Sequence, residues 1–257
     1  MGSGKDERLQ PALSALRSGD PKSLRAVIDA DPEVVDMKVG GNTLLEWLTQ
    51  PGAGPPSPEI VDVLVGAGAE VDRALNLAAC WNLAGLCSRL LAAGADPSAR
   101  ADAGITPLES AAMHSSTEAA DVLVGYGLHR HSLWLAAATG LLPTVRDWVA
   151  LDGSLLEDPG PYRPDWADVG RPTGAPPTDD PAEIVGEAFV FAAANDRRDV
   201  VDYLLDTGVD VDARPYKNTT ALHFAVQFRR LAMVGHLLGR GASVTIEDGN
   251  HRSDAAG

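Results

Sequence analysis

The side chains in this 257-residue chain that could do chemistry are six histidines, two cysteines and 36 carboxylates. His129 and His131 flank Arg130, and His114 follows the pair Ala111-Ala112. A histidine next to a carboxylate can move a proton, and two neighbouring imidazoles can hold an anion or a metal. The surroundings of His129 and His131 favour capping and solvent contact instead, and His236 and His251 fall on a helix edge and in the tail. Cys80 and Cys87 stand seven apart with no CxxC or Cys/His cluster, which suits buried thiols in a reduced, intracellular chain. No H-E-x-x-H, G-x-S-x-G or G-x-x-x-x-G-K-[ST] occurs. GAGAEV, GYGLHR and GRGASV open like a dinucleotide fingerprint. Each lacks the last glycine and follows a helix-like run, so they read as helix ends. No cofactor and no metal is expected.

The formal net charge is −15. Such a chain repels phosphate backbones and anionic bilayers, so neither nucleic acid nor membrane is an expected partner. No apolar run approaches the roughly 20 residues of a bilayer span. These features predict a cytoplasmic monomer. Met1-Gly2-Ser3-Gly4 reads as a leader outside a single domain over 5–257.

The elements that must position these side chains follow a repeating rhythm. Short Ala-rich runs, ALNLAACW (74–81), PLESAAMH (107–114), SLWLAAAT (132–139), AFVFAAAN (188–195) and ALHFAVQF (221–228), each precede a second apolar run that ends in a turn. Weaker first runs lie at 12–19 and 43–50. Apolar residues in the second runs recur at i, i+1, i+4 and i+5, as on one helix face. The turn positions are Pro32, Gly68, Gly94, Gly127, Gly153, Gly208 and Gly241, so the spacings are 36, 26, 33, 26, 55 and 33. Glycine there suits a helix C-terminus that needs positive φ.

A period near 33, two helices per unit and Thr220-Ala221-Leu222-His223 in the place of a T-P-L-H opening resemble the ankyrin-repeat family over residues 8–248. The uneven repeat lengths and the Ala/Gly/Arg/Asp-heavy composition suggest a bacterial type. The resemblance implies an all-α, ankyrin-like α-solenoid of about seven helix-turn-helix units with a few short β-hairpin fingers, each unit touching only its neighbours. It also implies a structural hydrogen bond for His223. Outside 68–79 and 125–137, which turn straight into the next pair, fingers are expected, as at 97–106 and 211–220. Trp47, Trp134 and Trp148 are expected in the core. Residues 157–182 hold seven prolines, with Tyr162 and Trp166, and read as an insertion loop without a helix.

In the resembled family the two positions after the paired alanines touch the partner. Here they are Cys80/Trp81, Met113/His114, Ala138/Thr139, Ala194/Asn195 and Gln227/Phe228. The expected partner-binding set is therefore Trp81, Met113, His114, Thr139, Asn195 and Phe228, joined by Tyr216 on a finger and by Tyr162 and Trp166 on the loop. A non-catalytic module that binds a protein or peptide in the groove is the leading expectation. The alternative is a small-molecule binder or cofactor-independent enzyme of isomerase or cyclase type, with the loop as lid and a His–Asp pair for acid–base work.

Overall fold

The computed structural model describes residues 3–50, 53, 56–101, 104–126, 132–156, 180–215, 219–247 and 255, with the side chains of residues 3–6 left aside. The chain divides into two units, Met1–Ser110 and Ala111–Gly257. The first holds α1 (Ser3–Ser18), α2 (Pro21–Ala30), a 3-10 turn (Pro32–Val35), α3 (Leu44–Trp47), α4 (Pro58–Gly66), α5 (Asp72–Cys80) and α6 (Ala84–Ala92). The division falls inside α7 (Pro107–Met113). The second unit continues with α8 (Thr117–Val124), α9 (Leu133–Ala138), α10 (Leu142–Trp148), α11 (Pro181–Ala194), α12 (Arg198–Asp206), α13 (Ala221–Gln227) and α14 (Leu231–Gly239). The architecture is all-α, in helix pairs, and no strand occurs among the described residues.

Pairs form because neither helix can bury its apolar stripe alone. In the first unit α2 packs on α4 and α3 on α5. In the second, α9 packs on α11, α11 on α13 and α10 on α12. The paired alanines Ala192 and Ala193 are fully buried and let α11 lie close to its neighbours, while Phe189 fills the space between them. Trp134 is buried, and Trp47 and Trp148 are half-buried.

Each pair starts and stops by local rules. Thr43/Glu46, Thr106/Glu109 and Thr220/His223 form one reciprocal cap at three helix starts. In each, the threonine hydroxyl accepts the third backbone N–H and the third side chain accepts the threonine N–H, a device worth about 1 kcal/mol. At the other end, Gly68, Gly94, Gly153, Gly208 and Gly241 all have positive φ. After four of them the next N–H bonds back into the last turn: Ala69 to Leu64, Ala95 to Leu90, Val209 to Leu204 and Ala242 to Leu237. Gly127 lies outside the described residues.

A second set of bonds joins successive pairs. Asp72 Oδ1 accepts the N–H of Asp96 at 2.8 Å, and Asp212 Oδ1 accepts that of Ser243 at 2.9 Å. Thus a carboxylate four residues past one turn glycine holds the residue two past the next. Ion pairs add to this on the second helices: Asp62 meets Arg89 at 2.6 Å, and Asp202 meets His236 at 2.8 Å and Arg240 at 2.9 Å.

The structure corrects several expectations. α11 begins at Pro181, inside the stretch read as loop, because the Asp180 carboxylate accepts the Ala182 N–H and the proline supplies a helical φ at the first position. Gly40 and Gly41, both at positive φ, close a two-residue hairpin between Val39 and Asn42. In the expected finger at 97–106, Ala101 bonds Ile105 at 2.9 Å. The 211–220 finger is described only in part. At 68–79 the chain does turn directly from α4 into α5. The largest departure is in the second unit, where the turn after α7 is hydrogen-bonded to the turns after α11 and α13. The fourth pair therefore touches more than its sequence neighbours.

Candidate functional site

The turns between first and second helices carry the expected binding row, and their backbone is strained where no glycine is present. Asn82, Ser115, Asp196 and Arg229 all adopt φ between 56° and 58°, at the place where Gly19 and Gly140 stand in other pairs. Asn and Asp tolerate this conformation. A long arginine side chain does so at a cost, and such strain concentrates at functional positions.

In the second unit these turns are drawn together. Arg230 donates from Nη2 to the Ser115 carbonyl at 2.5 Å and to the Ser115 hydroxyl at 2.7 Å, and from Nε to the Ala194 carbonyl at 3.3 Å. The Ser115 hydroxyl in turn donates to the Ala194 carbonyl. Arg197 donates to the Ala138 carbonyl at 3.2 Å and pairs with Asp121 at 2.7 Å. Two guanidinium groups thus satisfy carbonyls that the helix ends leave open.

Three of the nine expected residues are buried, and one of them, Asn195, belongs to this cluster. Asn195 is fully buried, and its Nδ2 donates to the Ala112 carbonyl at 2.9 Å and the Phe191 carbonyl at 3.0 Å. Its Oδ1 is buried with no partner. Thr139 is buried, with its hydroxyl on the Leu135 carbonyl at 2.7 Å. Met113 is buried at the end of α7. These three present little to a partner, because the stack itself takes up their polar and apolar surface. His114 is exposed next to Ser115. Phe228 is half-buried and stacks on Phe224, with ring centroids 5.9 Å apart and planes 5° from parallel. Phe224 continues the ladder to Phe191 at 6.2 Å, and Phe191 to Trp134 at 5.0 Å. Arg229, which the sequence did not single out, is exposed beside Phe228. In the first unit Trp81 ends α5 with 49% of its surface exposed. Tyr162, Trp166 and Tyr216 lie outside the described residues, as do His129, His131 and His251.

Other groups are inert or structural. Burial pushes the Cys87 thiol up to about 12 and raises that of Cys80. The His223 Nδ1 accepts the Thr220 N–H at 3.2 Å, which is the structural bond the resemblance implied, and its Nε2 is buried without a partner. A hollow of about 450 Å³ lies near the start of α11, with Asp152, Glu183, Asp210 and Arg214 over Val185 and Val209. None of the expected row lines it. No cluster of metal-ligating side chains occurs among the described residues.

Comparison with known proteins adds to this geometry. Ankyrin repeats, as three copies, match residues 177–248. The E3 ubiquitin-protein ligase KEG of Arabidopsis thaliana is 28% identical over 278 residues, which take in 91% of this chain and 17% of that protein. The chain therefore spans about a sixth of that relative's length. The crystal structure of the human ASB11 ankyrin repeat domain aligns over 96% of this chain and 90% of that chain, with 17% identity and a TM-score of 0.46. Residues 177–248 thus match ankyrin repeats, and the paired helices, Thr-led caps and turn glycines of the other described residues support an ankyrin-repeat protein.

Proposed function

We propose that this protein is a non-catalytic recognition module that binds a protein or peptide along the turns of its helix pairs. Ankyrin repeats are protein–protein interaction modules, and the finer assignment concerns which residues serve here. In the second unit the contact set is His114, Phe228 and Arg229, and in the first it is Trp81. The carrying observation is the edge that Arg230 assembles: an exposed imidazole, a ring half-presented by its stack, and an arginine held at φ +56°. An apolar ring beside an unneutralised guanidinium, on a chain of net charge −15, suits a peptide segment with one apolar side chain next to a carboxylate. Cys80 and Cys87 form no disulfide, which suits a reducing compartment, and a cytoplasmic location is part of the proposal. No described helix is long and apolar enough to cross a membrane.

The test is selection of ligands from a random peptide display library on the immobilised full chain, followed by calorimetric affinities. Phe228→Ala and Arg229→Ala should each weaken the selected peptides by about 10- to 30-fold, as for interface anchors. Unchanged affinity in a Trp81→Ala/His114→Ala/Phe228→Ala triple variant refutes the assignment. The small-molecule alternative rests on Tyr162 and Trp166, outside the described residues, and no observation on the described residues favours it.

A further inference from the structure

Two arginines 33 residues apart hold the second unit together in different ways. Arg197 stands just before α12 and Arg230 just before α14. Each donates from Nε to the carbonyl of the alanine that ends the preceding first helix, Arg197 to Ala138 at 3.2 Å and Arg230 to Ala194 at 3.3 Å. Beyond that carbonyl they diverge. The Arg197 Nη2 meets the Asp121 carboxylate on α8 at 2.7 Å, so it braces a helix. The Arg230 Nη2 meets the Ser115 carbonyl at 2.5 Å and the Ser115 hydroxyl at 2.7 Å, so it braces a turn.

The backbone makes this second brace possible. Arg229 sits at φ 56° and Arg230 at φ −82°, so the chain reverses between them. One side chain ends in solvent and the next among carbonyls. Arg229 is exposed, and its guanidinium makes no hydrogen bond or ion pair among the described residues. The Arg230 N–H is fixed on the Ala225 carbonyl at 2.7 Å. Ser115 is left-handed as well, at φ 56°. One guanidinium thus joins two such turns across 115 residues of chain, with His114 on one and Phe228 and Arg229 on the other.

We propose that Arg230 is the positioning residue of the peptide-binding edge: it sets the turn of His114 and the turn of Phe228 and Arg229 at a separation that one peptide spans. The inference rests on the reading of that edge as a peptide site, and adds that its two halves bind as a unit. Arginine is required because its planar fork holds the Ser115 and Ala194 carbonyls at once, which a lysine ammonium on a flexible stem does not.

The test uses peptides selected from the display library on the parent chain, at a temperature where circular dichroism shows every variant folded. Arg230→Lys should weaken them by about 10-fold. His114→Ala should cost about 5-fold in the parent but less than about twofold in Arg230→Lys, because a peptide anchored on Phe228 then no longer meets both turns in register. A role confined to folding would lower the urea midpoint and leave the cost of His114→Ala the same in both backgrounds. Ser115→Gly is a second variant that suits φ 56° and keeps the carbonyl while removing the hydroxyl, and it should lower affinity in the same direction by about threefold. Peptides that need Phe228 yet bind Arg230→Lys and Ser115→Gly as they bind the parent overturn this inference and leave the edge standing, and so does an equal His114→Ala cost in both backgrounds. Peptides indifferent to Phe228→Ala and Arg229→Ala overturn the edge itself, and this inference with it.

Discussion

Replacing Asn195 separates a structural joint from a binding residue. Its side-chain amide makes two hydrogen bonds, to the Ala112 and Phe191 carbonyls, in a fully buried position. The Phe191 carbonyl also accepts the Asn195 backbone N–H at 3.1 Å, and the Ala112 carbonyl accepts the Ser115 N–H at a longer 3.4 Å, so alanine would leave Ala112 the less satisfied of the two. Two neutral bonds contribute about 1 kcal/mol each, and the weakly satisfied Ala112 carbonyl adds about 1–2 kcal/mol. Removing the unpartnered Oδ1 returns about 1 kcal/mol of this. Asn195→Ala should therefore destabilise by about 2–3 kcal/mol. Asn195→Asp should cost more, about 4 kcal/mol, since it turns a donor toward two carbonyls into a buried acceptor with charge. Urea unfolding followed by far-ultraviolet circular dichroism gives both values. Peptide affinity measured under folding conditions should stay within about twofold of the parent for Asn195→Ala. A loss of stability below about 0.5 kcal/mol, or a large affinity loss with stability intact, would refute the joint and return Asn195 to the binding row.

Three further outcomes follow from the turns, the thiols and the carboxylates. Asp196→Gly, at φ 58°, should raise stability by about 0.5–1 kcal/mol, and Gly208→Ala, at φ 98°, should lower it by about 1–2 kcal/mol; urea midpoints moving the other way would contradict the turn geometry. With Cys87 raised to about 12, a thiol reagent at neutral pH should label Cys80 first and Cys87 only on unfolding, and equal rates would show that Cys87 is not buried. Asp20, Asp96 and Asp152 are held below their ordinary value of 3.8, chiefly by the hydroxyls of Ser23, Ser98 and Ser154. A depressed folded value means stability that is present above 3.8 and lost as pH falls below it. The urea midpoint should fall below that pH, and Ser98→Ala should shrink the decline; a flat profile would contradict these bonds.

The helix pairs were legible because their signals are local. The turn glycines, the Thr-led starts and the doubled apolar positions each act within a few residues, and Gly68, Gly94, Gly153, Gly208 and Gly241 have the backbone the spacing demanded. The start of α11 was hidden by prolines: Pro181 ends the proline-rich stretch and also begins a helix, and only the Asp180 cap distinguishes these roles. Asp72 and Asp212 had a signal that went unread, since each stands four residues after a turn glycine and reaches the next pair. The binding row was the least legible part. An idealised repeat points its turns at solvent, but Arg230 and Asn195 pull three turns together, and that depends on contacts across 36 to 115 residues of chain. Position in the repeat therefore named Thr139 and Asn195 as surface residues, although their hydrogen bonds turn them inward.

The account depends most on the sharing of one core between consecutive helix pairs, and hydrogen exchange read by mass spectrometry on Phe189→Ala tests it directly. Phe189 is fully buried on α11 in the core shared with α9, α12 and α13. The predicted result is a loss of amide protection that spreads through Leu133–Ala138, Arg198–Asp206 and Ala221–Gln227 as well as α11. Loss confined to Pro181–Ala194 would contradict it.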